Sequence, residues 1–268
     1  MKIIKYTAFI DILGFSNFIK NKITNKIEAE TFHKTINKEL IECLEYLKND
    51  TYNSQFNTAK HLQNITFDYI WISDTFVLSI ESNNKSINKK DKKQLRAMQL
   101  FILTLFVSYV NFYFINNYKL SIRGAITSKF TYLKDRLLLG EGISEAHYLE
   151  DNIAIYPRVI FSSDIINDDI LLLSRSTILK DCDGYFFIDY LNVFQHTPPM
   201  CGKAVRKTAI PTKEEQVELT INNHKDMIIN GLINNISNAK VFSKYLWLKE
   251  YHNNYITKNN FTDNLLIE

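Results

Sequence analysis

The order of elements in this 268-residue sequence predicts an α+β fold, an antiparallel sheet with helices on one face. Apolar residues alternate along residues 3–13, which is typical of a strand. Two further apolar runs, residues 65–72 and 75–80, are separated only by Ser73 and Asp74, which is the spacing of a hairpin. Because helical patterns follow both the first strand and the hairpin, the order is β, α, β, β, α, β.

The first strand is expected to end at Gly14, and Ser16 can cap the helix that follows. That helix is expected to reach about Leu47, because apolar residues recur at intervals of three and four from Phe32 onward. Residues 49–63 are polar and predict a loop.

Residues 97–115 are almost entirely apolar and approach the length that spans a bilayer. Polar residues such as Gln99 and Asn111 interrupt this run, which favours a helix buried in a core. The remaining expected elements are a strand at 120–130, a helix at 142–150, strands at 158–161 and 185–189, and two amphipathic helices from 213 onward.

The composition is that of a soluble globular chain, and its formal charge of only +3 favours neither nucleic acid nor a membrane as a partner. The widely separated Cys43, Cys182 and Cys201 argue against disulfides and zinc, so buried free thiols are expected. The first residues show no signal-peptide pattern, and a cytoplasmic location is expected.

A Pro- and Gly-containing loop predicts a boundary between a domain at 1–200 and a helical extension packed on it at 201–268.

Two aspartates are the candidate chemical groups. Asp11 lies near the end of an apolar strand, where a buried and unpaired carboxylate would be costly, and Asp74 lies at the hairpin tip. Each aspartate taken singly is more often a cap or a turn residue. In a β-α-β-β sheet, however, the end of the first strand and the hairpin turn can lie side by side, so the two carboxylates could converge on one divalent metal ion or two.

The segment Gly14, Phe15 and Ser16 is expected to begin a helix beside these carboxylates. The backbone N–H groups of a helix start bind phosphates readily. Metal ligands next to such a phosphate cradle point to a nucleoside triphosphate as the ligand.

Four segments resemble the class III nucleotidyl cyclases. Residues 9–16, FIDILGFS, are similar to the first metal motif of that family, and residues 72–74, ISD, are similar to its second, which usually reads IGD. Residues 123–126, RGAI, resemble a family strand, and residues 140–150, GEGISEAHYLE, resemble the family's catalytic helix. The resemblance covers roughly residues 5–165, and its specificity comes from the order of four weak motifs.

The resemblance implies a ferredoxin-like (βαββαβ) palm that works as a head-to-tail homodimer with active sites at the interface. Mg²⁺ or Mn²⁺ would be held by Asp11, Asp74 and the carbonyl of Ile12, and the nucleotide by Gly14, Phe15 and Ser16. The product would be a 3′,5′-cyclic nucleotide. Bacterial relatives include pyrimidine cyclases of antiphage signalling, which implies a cyclic-nucleotide-sensing effector as a further partner.

The catalytic helix departs from the family pattern. Ser144 and Tyr148 stand where the family has a ribose-binding asparagine and a phosphate-binding arginine, and losing one such donor typically slows catalysis about 10²- to 10³-fold. Arg158, His147 or Lys129 could supply the missing cation, although an ordinary structural role is the simpler interpretation of each. Arg123 is expected to brace the sheet.

The nucleobase is not indicated by the sequence. The base-reading positions of the family fall at Ile70 and Leu137, which are apolar here, and Tyr69, Trp71 or Tyr148 could stack a base. The cyclase has two competing interpretations: a catalytically degenerate nucleotide-binding sensor, which Ser144 and Tyr148 favour, and a palm that joins two nucleotides.

Overall fold

A computed structural model of the chain describes residues 4–54, 65–82, 89–135, 137–168, 177–196 and 213–268. The strands are β1 Ile4–Ile12, β2 Ile65–Ile72, β3 Thr75–Ser82, β4 Ile122–Thr127, β5 Tyr132–Lys134, β6 Leu137–Leu139, β7 Val159–Phe161, β8 Ile178–Lys180 and β9 Phe186–Ile188. The helices are α1 Phe15–Lys22, α2 Lys26–Ser54, α3 Lys89–Tyr118, α4 Glu141–Asn152, α5 Ser163–Asp168, α6 Tyr190–His196, α7 Lys213–Asn234 and α8 Ala239–Lys258. A short 3-10 helix follows at Asp263–Leu265.

The fold is mixed α+β around one seven-stranded sheet of order β2-β3-β1-β4-β7-β9-β8. All neighbouring strands in it are antiparallel except β4 and β7, which are parallel. Strands β5 and β6 form a separate hairpin. The predicted strands of the first half are confirmed as β1 to β4, whereas the β5–β6 hairpin, α5, β8 and α6 were not predicted.

The first predicted helix is divided into α1 and α2. Asn25 caps α2, because its side-chain oxygen accepts a hydrogen bond from the N–H of Glu28 at 3.0 Å, and the Glu28 carboxylate in turn accepts from the N–H of Thr24 at 2.7 Å. The expected cap at Ser16 is wrong, since Gly14 precedes α1 and Ser16 lies inside it. The loop expected from residue 49 is also wrong as far as Ser54, the last residue of α2, and residues 55–63 lie outside the described ranges.

Helices cover both faces of the sheet. Helix α3 packs against one face, where Phe106 contacts Phe76 with ring centroids 5.9 Å apart, and α2 packs beside α3. Helix α4 packs on the opposite face, where His147 lies 5.1 Å from Phe9. The expectation of helices on one face is therefore confirmed for α2 and α3 and wrong for α4.

Helix α3 contains the apolar segment that could be mistaken for a membrane span. Residues Leu95–Tyr118 are long and apolar enough to cross a membrane, but 89% of their most apolar stretch is buried inside the protein. No other helix of the described ranges is long and apolar enough. The interpretation as a core helix is confirmed, because α3 packs against the sheet and against α2, α6 and α7.

Helix α7 packs on α3, and α8 packs on α7 and contacts β9 through Trp247 and Phe187. Asn116 near the end of α3 donates to Thr220 of α7 at 3.2 Å, and Lys119 donates to Asn223. The domain boundary expected at residues 200 and 201 lies outside the described ranges, as does Cys201. Of the other thiols, Cys43 is buried as expected, whereas Cys182 is exposed.

Two histidines that are 28 residues apart in the sequence join α7 to α8. Nδ1 of His224 lies 2.9 Å from Nδ1 of His252, and both rings are fully buried. Nε2 of His252 is 2.9 Å from the carbonyl of Leu265, which can only accept, so Nε2 carries the proton and Nδ1 accepts. His224 must then donate from Nδ1, and its Nε2 lies 2.8 Å from the hydroxyl of Tyr190, which donates to it when His224 is neutral. A second proton on His252 would place two N–H groups against each other, so the contact between the rings requires a neutral His252.

We expect acid to destabilise the protein through this pair. Burial lowers the pKa of His224 well below its ordinary value of 6.5 and also lowers the pKa of His252. The unfolded chain therefore binds more protons below pH 6.5, and the free energy of unfolding falls as pH decreases, by up to about 1.4 kcal/mol per pH unit and histidine. Urea unfolding of the wild type at pH 7.5, 6.0 and 5.0 measures this slope.

Two variants isolate the contribution of the pair. His224→Gln should reduce the slope, whereas His33→Gln, at an exposed position of α2, should leave it unchanged. The comparison between variants is needed because burial raises the pKa of Glu150 to about 6, which acts in the opposite direction over the same range. Equal slopes in all three proteins would contradict the prediction.

Candidate active site

The structure brings Asp11 and Asp74 to the same end of the sheet. Asp11 is opposite Thr75 in the pairing of β1 with β3, and the N–H of Ile12 donates to the carbonyl of Asp74 at 3.0 Å. The charge of Asp74 contributes to the electrostatic environment of Asp11. The end of the first strand and the hairpin turn are thus adjacent, as the sequence predicts.

The tight turn between β2 and β3 determines the position of Asp74. Ile72 pairs with Thr75, so only Ser73 and Asp74 form the connection. Ser73 has a positive φ of 58°, a conformation that glycine adopts more easily and that two-residue hairpin turns require. The resembling motif has glycine at this position. The side chain of Trp71 supports the turn, since its indole N–H donates to the carbonyl of Ser73 at 2.5 Å.

A buried ion-pair chain connects Asp11 to α4. Nε of Arg123 donates to Oδ2 of Asp11 at 3.0 Å, and its Nη2 lies 2.6 Å from Oε1 of Glu150. The second contact is an ion pair without hydrogen-bond alignment. The position of Arg123 opposite Asp11 in the pairing of β1 with β4 explains the first contact. Arg123 therefore braces the sheet, as expected from the sequence.

Asp11, Asp74, Arg123 and Glu150 form a charged cluster. In it, the pKa values of the Asp11 and Glu150 carboxyls are raised, so their neutral forms are favoured. Burial raises the pKa of Asp11, the charge of Asp74 raises it further, and the bond to Arg123 opposes both effects. Burial likewise raises the pKa of Glu150 to about 6, with Arg123 opposing and Asp11 reinforcing the shift. The three carboxylates outnumber the two cations that act on them, Arg123 and Lys244, which favours a further cation beside the cluster.

The donor set at Asp11 and Asp74 fits a hard divalent cation. Carboxylate and carbonyl oxygens are the ligands of Mg²⁺, which commonly uses one or two carboxylates and completes its shell with water and substrate phosphates. Among the residues that the structure describes, no group of three or more His, Cys, Asp or Glu side chains could hold a metal ion. A metal at this place would use the two aspartates, the carbonyl of Ile12 and oxygen atoms of the substrate.

The start of α1, beside Asp11 and Asp74, is the segment expected to bind phosphate. Gly14 adopts a left-handed φ of 81°, which turns the chain sharply from β1 into α1. The N–H groups of Asn17 and Phe18 donate to the carbonyl of Gly14 at 3.1 Å. The N–H groups of Phe15 and Ser16 precede these and are the ones that a phosphate would use. The Phe15 ring is buried against neighbouring aromatic rings and holds the segment in place.

Ser144 and Tyr148 lie on the outer side of α4, away from the sheet. Tyr148 is 59% exposed, and the Ser144 hydroxyl is 3.5 Å from the carbonyl of Gly140 in its own helix. The opposite side of α4 buries Ala146 and Leu149 against the sheet. Within one chain, the structure therefore does not bring Ser144 and Tyr148 to the aspartates.

Arg158 is buried and forms ion pairs with two carboxylates. Its side chain is fully buried, its two terminal nitrogens bind the carboxylates of Asp181 and Asp183, and its guanidinium lies 5.6 to 5.9 Å from the rings of Tyr156, Phe187 and Trp247. The two aspartates lie between β8 and β9, and of these two strands the sequence predicted only β9. These contacts support the structural interpretation of Arg158, and its catalytic role stays a prediction, because a phosphate would have to displace Asp181 or Asp183 from its terminal nitrogens.

Lys129 and His147, which could also have supplied the missing cation, have structural partners as well. Lys129 forms ion pairs with Glu141 at 2.6 Å and with Glu145 at 3.3 Å. His147 is exposed on α4 and its ring packs on Phe9. Neither side chain is therefore free to take the place of the family's arginine without giving up these contacts.

The candidate base-binding residues of β2 are divided between its two faces, since side chains alternate along a strand and Ile70 lies between Tyr69 and Trp71. Trp71 and Tyr69 contact Phe76 in the core. Of the two base-reading positions, Ile70 is half-buried and Leu137 is exposed.

Sequence reasoning missed two contributors to the cluster. Glu150 is part of a resembling motif but received no role, and Lys244 belongs to the helical extension, outside the resemblance. The signal for Glu150 was a carboxylate on the apolar side of α4, four residues after Ala146. No local pattern indicates Lys244.

The comparisons with known proteins add no family to this description. No protein-family model matches the sequence, and no curated protein matches it.

Proposed function

We propose that this protein is a divalent-metal-dependent nucleotidyl cyclase that converts a nucleoside triphosphate into a 3′,5′-cyclic nucleotide and pyrophosphate. The observation that carries the proposal is the adjacency of Asp11 and Asp74 beside the start of α1. Two neighbouring carboxylates repel each other, and a cation together with an anionic substrate would relieve that repulsion.

The strand order supports a ferredoxin-like palm as the finer description of the fold. Strands β2-β3-β1-β4 are antiparallel, and the connections through α2 and α3 both pack on one face, which is the split β-α-β arrangement. Strands β7 to β9 and helices α7 and α8 then extend this unit at the β4 side.

Each group would have a distinct part in the reaction. The N–H groups of Phe15 and Ser16 would bind phosphate oxygens, and Asp11 and Asp74 would hold Mg²⁺ or Mn²⁺. The metal supplies activation of the ribose 3′-hydroxyl and stabilisation of charge on the phosphates. Arg123 would keep the Asp11 carboxylate oriented, since it holds one oxygen at 3.0 Å and leaves the other available.

A homodimer is part of the proposal. The exposure of Ser144 and Tyr148 on α4 is what residues facing a second copy require. The β5–β6 hairpin also presents one exposed apolar side, which comprises Tyr132, Leu137 and Leu139 next to Phe130. A cytoplasmic location, a role in antiphage signalling and an effector that senses the product remain proposals that follow from the resemblance.

A nucleotide-binding sensor without turnover is the second candidate. It is favoured by Ser144 and Tyr148 in place of the family donors and by the engagement of Arg158 with Asp181 and Asp183. In that case the site would bind metal and nucleotide and change a partner surface without forming product.

Product analysis tests the proposal. The purified chain is incubated with Mn²⁺ or Mg²⁺ and each of ATP, GTP, CTP and UTP, and products are identified by mass spectrometry. We expect one cyclic mononucleotide and pyrophosphate. Binding of a nucleotide without any product would support the sensor, and formation of a linear dinucleotide would support a palm that joins two nucleotides.

A further inference from the structure

Contacts of Trp247 hold helix α8 at the end of the sheet that carries Asp11 and Asp74. The Trp247 ring stacks on Tyr156, with centroids 5.9 Å apart and an interplanar angle of 9°. Its indole N–H donates to Asp181 at 2.9 Å, and the ring lies 5.9 Å from the guanidinium of Arg158. These contacts leave little freedom in the position of the N-terminal half of α8.

The same contacts place Lys244 next to the cluster of Asp11, Arg123 and Glu150. The carbonyl of Arg158 accepts a hydrogen bond from the N–H of Gly124 at 3.1 Å, and Gly124 follows Arg123 in β4. Lys244 precedes Trp247 by three residues, so both side chains project from the same side of α8. Lys244 is half-buried there.

The charge environment of Lys244 is unusual for a surface lysine. Its ammonium interacts electrostatically with Asp11 and Glu150, and it is repelled by Arg123 and Lys240. Within the described ranges, neither Lys244 nor Lys240 forms an ion pair with a carboxylate. Burial, followed by the charges of Arg123 and Lys240, lowers the pKa of Lys244.

Lys240 and Lys244 lie one helical turn apart, so their like charges destabilise α8 slightly unless an anion binds beside them. We propose that Lys244, assisted by Lys240, binds the phosphates of an anionic substrate at the Asp11 and Asp74 site, so that the C-terminal helices complete that site. This inference rests on the proposed function, and it assigns the phosphate-binding cation that Tyr148 cannot supply.

Calorimetric titration with sodium tripolyphosphate in the presence of Mg²⁺ tests this inference, because tripolyphosphate is the part that all nucleoside triphosphates share. Lys244→Met should weaken binding about tenfold and reduce its dependence on salt concentration. Lys244→Arg should restore most of the affinity. Lys249→Met, on the same helix but pointing elsewhere, is the matched control and should bind like the wild type. The unfolding temperature without ligand should differ by no more than about 2 °C among the four proteins, because a single like-charge pair on a helix has a small effect.

The outcomes separate this inference from the cyclase itself. Wild-type affinity in Lys244→Met would overturn the inference even if cyclic nucleotide is formed. A Lys244-dependent affinity in a protein that forms no product would support the inference and contradict the cyclase. Absence of tripolyphosphate binding in the wild type would overturn the phosphate site altogether.

Discussion

Replacing Asp74 with asparagine is expected to reduce nucleotide turnover about 10³-fold and to leave the fold unchanged. The substitution keeps the shape of the side chain but removes the charge that would hold the metal. Asp74 is half-exposed in a two-residue turn, and its backbone carbonyl, which accepts from Ile12, is retained. The free energy of unfolding should therefore change by no more than about 0.5 kcal/mol.

Asp68→Asn is the matched control for this variant. Asp68 lies on β2, six residues before Asp74, and burial raises its pKa, yet it lies away from the hairpin tip. Asp68→Asn should keep wild-type turnover. Equal turnover in Asp74→Asn and the wild type would contradict the metal assignment. For a sensor, the same variant should instead lose the increase in unfolding temperature that Mn²⁺ and nucleotide produce in the wild type.

Replacing Arg158 with methionine is expected to lower the free energy of unfolding by about 3 kcal/mol. Methionine preserves much of the apolar stem but leaves the carboxylates of Asp181 and Asp183 without their shared cation. Arg158→Lys should recover only part of the loss, since an ammonium cannot bind both carboxylates as the guanidinium does. Urea unfolding monitored by tryptophan fluorescence, to which Trp71 and Trp247 contribute, would measure both effects.

The same variant decides between a structural and a catalytic role for Arg158. At a temperature where Arg158→Met is fully folded, turnover per folded molecule should stay within a few-fold of the wild type. A loss of about 10²-fold or more in a folded and normally stable protein would instead restore Arg158 as the phosphate-binding cation. Asp183→Asn, which removes one partner and keeps the arginine, should be destabilised less, because Asp183 is partly exposed.

The sequence by itself determined the central strands and the location of the aspartates. Alternation along residues 4–12 and the two-residue gap at Ser73 and Asp74 are local patterns, and they depend on geometry that neighbouring residues impose on one another. Once the first strand and the hairpin are recognised, few arrangements of a β-α-β-β sheet remain. Asp11 and Asp74 therefore meet for reasons that can be derived from their positions in the chain.

Only the tertiary structure determined which side chains that are distant in the sequence come into contact. Arg123 is 112 residues from Asp11, Trp247 is 66 residues from Asp181, and His224 is 28 residues from His252. No periodic pattern encodes such pairs, because a side chain far along the sequence leaves no mark on local periodicity. Short strands such as β8, with three residues, are equally hard to recognise, since their stability comes from neighbours rather than from their own pattern. Which carboxylates pair with Arg123 and which with Arg158 is thus a property of the packed protein.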